Sequence, residues 1–229
     1  CCPGDADHAY ARKSLNLTKS WLERYVKRFR ETEPLYGYSQ SFFPIIQGCV
    51  YPDLRKEAVE HACGFDADGY AIGGLAVGEP TEKMYEMLDF TAPLLPADRP
   101  RYLMGVGTPQ NIIEGVDRGV NFFDCVYPSR NGRHGHVYTN HGKLNLFNAQ
   151  YESDAEPIEE GCGCPACRSY TKAYIRHLLK AKEMLGMRLC VLHNLYFYNN
   201  LMTEIRRALD EGRFDAFRRE FTEILDKRI

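Results

Sequence analysis

Arg101-Tyr102-Leu103-Met104-Gly105-Val106-Gly107 is an apolar run that ends in glycine, and Asn121-Phe122-Phe123-Asp124-Cys125-Val126 is a second run that ends around an acid. Between them, Pro109 to Gly119 has a helical pattern, opened by a proline whose missing N–H does no harm in a first turn. Residues 101–126 therefore predict strand, helix, strand. The same grammar extends upstream. Ser41 to Gly48 predicts a buried strand, and Pro52-Asp53 opens a helix with Leu54, Ala58, Val59 and Ala62 on one face, stopped by Gly64. Gly69 to Leu75 is again strand-like, and Pro80-Thr81 opens a helix carrying Met84, Met87, Leu88 and Leu94. Strands near 42–47, 69–75, 101–107 and 121–126, separated by helices, predict a parallel sheet covered by helices. Four such units are half of an eight-stranded (β/α) barrel, and an open doubly wound sheet is the competing arrangement. Each strand closes on a polar or glycine turn, and functional groups of parallel α/β folds gather at those carboxyl ends.

Outside this block, residues 8–32 show a helical pattern through Ala11, Leu15, Leu17, Trp21, Leu22 and Tyr25. Arg130-Asn131-Gly132-Arg133-His134-Gly135-His136 is basic and glycine-rich and predicts a loop. Residues 137–150 predict a hairpin, Ser169 to Leu185 a helix closed by Gly186, and 194–210 and 213–226 two more helices. The division expected is 1–136 for the βα units and 137–229 for a second, smaller domain.

The chain has 229 residues, enough for one large domain or two small ones at about 150 residues each. Hydrophobic residues at 44% and charged residues at 26% exclude a disordered or fibrous chain. No apolar run approaches the roughly 20 residues that span a bilayer. The amino terminus, Cys-Cys-Pro-Gly-Asp-Ala-Asp, has neither an initiator Met nor a signal-peptide pattern, so the chain is expected to begin inside something larger. A net charge of -2 neither demands nor excludes nucleic acid, since a local basic patch suffices. Nine cysteines, an odd number without a secretion signal, argue against a disulfide framework and for the cytoplasm.

Three of those cysteines stand in Cys162-Gly163-Cys164-Pro165-Ala166-Cys167, a tight loop on which soft ligands can converge. Structural zinc takes four tetrahedral ligands. His193, reached after a helix and a turn, is the natural fourth, with Cys190 a rival and His177 a weaker one. Free thiols are the plain alternative. With no open coordination position, the metal would be structural.

Asp124 is an acid among apolar residues at a strand end, costly to bury unless paired or used. A loop-capping Asp is the ordinary reading and a chemical role the other. Arg130 and Arg133, with Asn131 and His134 beside them, suit gripping phosphates and stacking on bases, against a merely solvated basic loop. Gln47 and the Gly73-Gly74-Leu75 turn would offer amide and backbone groups that can read a base edge, although those glycines also serve a turn.

Taken together, Phe123-Asp124-Cys125-Val126-Tyr127-Pro128-Ser129-Arg130, Ile72-Gly73-Gly74-Leu75-Ala76-Val77-Gly78-Glu79, Tyr102 to Gly107 and Ile46-Gln47-Gly48 resemble, in this order, the tRNA-guanine transglycosylases of the queuosine pathway, in their bacterial form. The cysteine cluster and His193 match that family's zinc site, and the resemblance covers essentially the whole chain. It implies α/β architecture: the C-terminal half of a (β/α)8 barrel with a zinc-binding subdomain near the C-terminus. It implies a transferase that replaces the anticodon wobble guanine by a 7-deazaguanine, with Asp124 as nucleophile. It implies base contacts from Gln47, Gly74 and Leu75, with Met104 and Gly105 lining the pocket, and anticodon-loop contacts from the segment Arg130, Asn131, Gly132 and Arg133. It implies structural Zn2+ on Cys162, Cys164, Cys167 and His193, and a cytoplasmic homodimer. Val77 resembles the bacterial members that use preQ1 rather than queuine. A non-catalytic accessory subunit is the alternative role. The family's guanine-reading Asp, its general acid/base Asp and four strands would lie upstream of Cys1, so this chain alone is expected to be inactive. Thr108 stands where many members have Lys.

Overall fold

The computed structural model describes residues 1–225 and 227–229, in two units: Cys1–Val106 with Glu114–Asp124, and Gly107–Ile113 with Cys125–Ile229. In the first, β1 (Ile45–Ile46), β2 (Tyr70–Ile72), β3 (Arg101–Leu103) and β4 (Phe122–Phe123) pair in parallel in the order β1-β2-β3-β4. That order is the sequential one of a barrel, with no switch point among these four strands. A doubly wound sheet reverses its strand order at a switch point, whereas a barrel adds strands sequentially. The fold is α/β, and the four strands with their helices are βα units of the (β/α)8 barrel type.

The register assigns each face. Ile46, Ile72, Leu103 and Phe123 are aligned partners, so their side chains share a face. The first three are fully buried in the core formed with Leu54, Ala58, Val59 and Ala62 of α2 (Pro52–Cys63) and Met84, Met87 and Leu88 of α3 (Thr81–Thr91). Burying each such side chain contributes about 1.5–3 kcal/mol. Ile45, Ala71, Tyr102 and Phe122 are also aligned and share the opposite face. There the Tyr102 and Phe122 rings stack 4.8 Å apart at 4°, and Phe43 meets Phe122 edge-on at 5.6 Å. The helix α1 (His8–Glu31) packs against α2 through Ala11, Leu15, Leu22 and Val26, capped by Asp7, whose Oδ1 accepts from Tyr10 N–H at 2.7 Å. The helix α4 (Pro109–Asp117) leads into β4.

The paired strands are shorter than the apolar runs suggested. Beyond Ile72 the backbone turns at Gly74, which has φ +67°, and beyond Leu103 the Gly105 N–H leaves the ladder for the Asp124 carboxylate. The runs continue as loops because their last residues bond to functional groups instead of to neighbouring strands.

The second unit is organised on α8 (Met184–Asp210), whose buried stripe runs Leu189, Cys190, His193, Asn194, Phe197, Tyr198, Leu201, Ile205 and Ala208. Against it pack α5 (Tyr127–Arg133), the hairpin β5 (His136–Thr139) and β6 (Gly142–Asn145), α6 (Pro165–Ser169), α7 (Lys172–Lys180) and α9 (Phe214–Ile224). Three expectations are corrected. The basic segment is largely helix, not loop: α5 is opened by Pro128, and Gly132 serves close packing, since a Cβ there would sit 2.8 Å from Val191 N. The stretch 169–185 is not one helix. It breaks after α6, and Thr171 caps α7 by accepting from Tyr174 N–H. Nor does Gly186 stop a helix. It lies in the first turn of α8, which starts ten residues earlier than expected, and packs against Leu178 and Leu179. Among the described residues no helix is long and apolar enough to cross a membrane.

Candidate active site and metal centre

One residue beyond the aligned row Ile46, Ile72, Leu103 and Phe123 stand Gln47, Gly73, Met104 and Asp124. The parallel register brings them to the same sheet edge, at the carboxyl ends of all four strands. Asp124 is exposed. Its Oδ1 accepts from the Tyr102 hydroxyl at 2.6 Å and from the Gly105 N–H at 2.8 Å. The Tyr102 hydrogen bond, and then that of Gly105, hold this carboxyl below the ordinary Asp value. Burial, reinforced by Asp124, pushes Tyr102 up to about 12. At neutral pH the pair is thus an ionised carboxylate held by a protonated phenol.

Gln47 presses against the glycine turn. A Cβ on Gly73 would lie 3.1 Å from Gln47 Nε2, and one on Gly74 2.4 Å from Gln47 Oε1. Gln47 Oε1 is buried with no hydrogen-bond partner among the described residues. A buried, unsatisfied acceptor costs about 1–3 kcal/mol, a penalty that a ligand donor would relieve. Beneath the turn lies Arg55, fully buried on α2. Its Nε donates to the Cys49 carbonyl at 2.6 Å, and its Nη2 to the Gly73 and Gly74 carbonyls at 3.1 and 3.2 Å. Burial lowers its pKa to about 10, which still leaves it charged. Beyond the turn, Leu75 is buried and Ala76 has φ +56°. The Glu79 carboxylate accepts from the Ala76 and Val77 N–H groups and so holds that conformation, while the Val77 carbonyl accepts from Gly4 N–H at 3.1 Å. Thr108 caps α4: its N–H and hydroxyl bond Asn111 Oδ1, and its Oγ1 accepts from Asn111 N–H.

Sequence reasoning missed Tyr102 and Arg55 as parts of this site. Arg55 carried a signal, because it follows Leu54 and precedes Ala58 and Val59 on the apolar stripe of α2, where a charge needs a buried partner. Tyr102 carried none, since a strand tyrosine is ordinary core.

In the second unit the Sγ atoms of Cys162, Cys164 and Cys167 lie 3.9, 3.4 and 3.3 Å from His193 Nδ1, and the four donor atoms all fall within 4.8 Å of one another. Cys190 and His177 are not in the cluster. Zinc bonds of about 2.3 Å to sulfur and 2.0–2.1 Å to nitrogen, at tetrahedral angles, put sulfur and nitrogen about 3.6 Å apart. The donors therefore fit a tetrahedral ion. The far side of the imidazole agrees: Nε2 donates to the Tyr138 carbonyl at 2.7 Å, which turns the other nitrogen, as a lone pair, toward the sulfurs. Cys164 caps α6, its sulfur accepting from Cys167 N–H at 3.2 Å. His193 sits in the third turn of α8 rather than at a helix start.

On α5, Arg130 and Arg133 are exposed three residues apart and have no acidic partner among the described residues. Asn131 and Gly132 face inward: Asn131 Nδ2 donates to the Tyr138 hydroxyl at 2.9 Å, and Gly132 is buried against Val191.

The family model for queuine tRNA-ribosyltransferase matches residues 1–227. The chain is 60% identical over 223 residues to a queuine tRNA-ribosyltransferase of Lachnospira eligens, covering 96% of this chain and 59% of that protein. It is 58% identical over 221 residues to the one of Clostridium perfringens, covering 95% and 58%, and 55% identical over 223 residues to the one of Clostridium tetani, covering 96% and 59%. The chain thus spans somewhat over half the length of these relatives. A strand-end carboxylate row, a three-cysteine-and-histidine centre and a match over nearly every residue agree: the chain belongs to the queuine tRNA-ribosyltransferase family.

Proposed function

We propose that this chain forms part of an enzyme that exchanges the wobble guanine of a tRNA anticodon for a 7-deazaguanine base, a step of queuosine biosynthesis. The observation that carries the reading is the ionised Asp124 carboxylate in one row with Gln47, Gly73 and Met104. A carboxylate oxygen of Asp124 attacks ribose C1′. The C1′–N9 bond breaks, guanine leaves with the electron pair and takes up a proton, and an aspartyl–ribose ester remains. N9 of the incoming base, losing its proton, then attacks C1′ and releases Asp124. Two inversions leave the configuration at C1′ retained, as in retaining glycosidases. Gln47, Gly74 and Leu75 hydrogen-bond the base, and Val77, Met104 and Gly105 line its pocket. Gln47 Oε1, unsatisfied here, takes a donor from the base edge.

Arg130 and Arg133 contact phosphates of the anticodon stem-loop from one face of α5, with Asn131 and Gly132 supporting them from within. Zn2+ on Cys162, Cys164, Cys167 and His193 is structural, since four protein donors leave no open position. When bound it supplies cross-linking of the second unit and no chemistry at the base. The enzyme works in the cytoplasm, where tRNA is available, as a homodimer. A non-catalytic accessory role would have no need of a carboxylate so held.

The test is trapping. The complete enzyme incubated with tRNA should give a denaturation-resistant RNA adduct that Asp124→Asn abolishes; an adduct that persists in Asp124→Asn removes Asp124 as nucleophile. Val77 favours preQ1, and faster incorporation of queuine would overturn that preference. Asp124 is the one acid in the strand-end row, so the 229-residue chain alone should show no exchange. Guanine incorporation by it would refute this.

A further inference from the structure

We propose that Tyr138 is a positioning residue through which the metal centre fixes helix α5, so that metal loading and the presentation of Arg130 and Arg133 are coupled. The backbone of Tyr138 is tied to α8 and its side chain to α5. Its N–H donates to Asn194 Oδ1 at 3.1 Å, its carbonyl accepts from His193 Nε2 at 2.7 Å, and its hydroxyl accepts from Asn131 Nδ2 at 2.9 Å. The residue is fully buried, and its ring is held by Phe197 and Tyr198 at 6.0 and 5.5 Å. The phenol is rigid, so a shift of its backbone is carried to its hydroxyl. His193 is a ligand only when its ring presents Nδ1 to the sulfurs, and that orientation aims Nε2–H at Tyr138. The ion therefore sets the position of β5 at Tyr138, and the hydroxyl of the same residue sets Asn131 on α5.

A second tie runs in parallel. Asn194, next to His193 on α8, donates through Nδ2 to the Pro128 and His136 carbonyls at 2.9 and 3.0 Å. It anchors the start of α5 and the start of β5, but it does not reach the turn that carries Asn131. The turn with Arg130 and Arg133 packs on α8 through Gly132 and takes its side-chain hydrogen bond from the Tyr138 hydroxyl, through Asn131. Coupling through Tyr138 rests on geometry alone, whereas its consequence for nucleic acid rests on the phosphate-binding reading of the two arginines. By linkage, a ligand that needs α5 in place must also tighten the metal.

Tyr138→Phe removes the hydroxyl and leaves both backbone bonds. In the metal-loaded protein, zinc content should stay at one ion per chain and α9 amides should exchange as before. Amides of α5 should exchange about 10-fold faster, the effect of leaving Asn131 without its partner. An anticodon stem-loop RNA should slow zinc extraction by a chelator in the wild type and no longer do so in Tyr138→Phe. Unchanged α5 exchange in a Tyr138→Phe protein that keeps its zinc overturns the coupling. Faster α5 exchange with no stem-loop binding by either protein upholds the coupling and removes the phosphate-binding reading. If Tyr138→Phe loses its zinc, Asn131→Ala breaks the same bond from the other end and must accelerate α5 exchange alike, or the proposal fails. In the double variant the two losses should not add, and additive losses likewise overturn it.

Discussion

Three donors of the metal centre lie between Cys162 and Cys167 and close on His193, while the strand-end row draws Gln47, Gly73, Met104 and Asp124 from four strands. The first is assembled by a local loop, the second by sheet register. They also differ in what they leave unsatisfied. At the metal centre every sulfur faces the imidazole, and the remote imidazole nitrogen has its own acceptor in the Tyr138 carbonyl. At the strand ends Asp124 is exposed, and Gln47 Oε1 has no partner among the described residues. A centre whose groups satisfy one another holds structure, whereas one with an orphan acceptor beside a held carboxylate is arranged for something that arrives.

The largest expected effect separates the two centres. Asp124→Asn should lower exchange by the complete enzyme by at least about 10³-fold, with zinc content unchanged. Cys164→Ser should do the reverse at the level of structure. Zinc affinity should fall more than about 100-fold, and the second unit should melt at lower temperature, as circular dichroism would read. Loss of zinc from Asp124→Asn would show that the centres are not independent and would break the comparison.

A smaller effect probes the open site alone. Gly74→Ala places a Cβ 2.4 Å from Gln47 Oε1 at φ +67°, where a side chain costs about 1–2 kcal/mol. Guanine affinity by titration calorimetry should fall about 10-fold, with zinc content untouched. Unaltered affinity would mean that the base does not use the Gln47–Gly74 cradle.

The same contrast explains what was legible in the sequence. The metal loop was readable because Cys162, Cys164 and Cys167 are neighbours, and only the fourth donor, His193 against Cys190 or His177, needed the fold. The order of the βα units was readable from alternating apolar runs, and Asp124 stood out as an acid beside Phe122-Phe123. What a residue meets across the sheet was not readable. The Tyr102 hydroxyl finds Asp124 only because β3 and β4 are in register, and Arg55 finds the Gly73 and Gly74 carbonyls only once α2 covers β2. The basic segment was misread as loop because Gly132, a poor helix residue by propensity, is in place for packing against Val191.

The finest test concerns how the open site holds its carboxylate. Tyr102→Phe keeps the ring stacked on Phe122 and removes only the hydroxyl, leaving Gly105 N–H as a donor to Oδ1. The Tyr102 bond is the main cause that lowers the Asp124 pKa, so that pKa should move up toward the ordinary Asp value. A lowered carboxyl contributes stability that is present above its unfolded value and is lost as pH falls through its folded value. In Tyr102→Phe the folded value moves toward the unfolded one, so this contribution shrinks at every pH above the unfolded value, neutral pH included, and the loss on the acid side becomes smaller and ends at higher pH, while Asp124 itself stays ionised near pH 7 in both proteins. Carbon-detected NMR titration of the Asp124 carboxyl reads the shift directly. An unmoved midpoint would mean that Gly105 alone holds the charge. A raised midpoint with a few-fold slower exchange at neutral pH would assign the phenol to aiming the nucleophile, because at that pH the charge is already present without it.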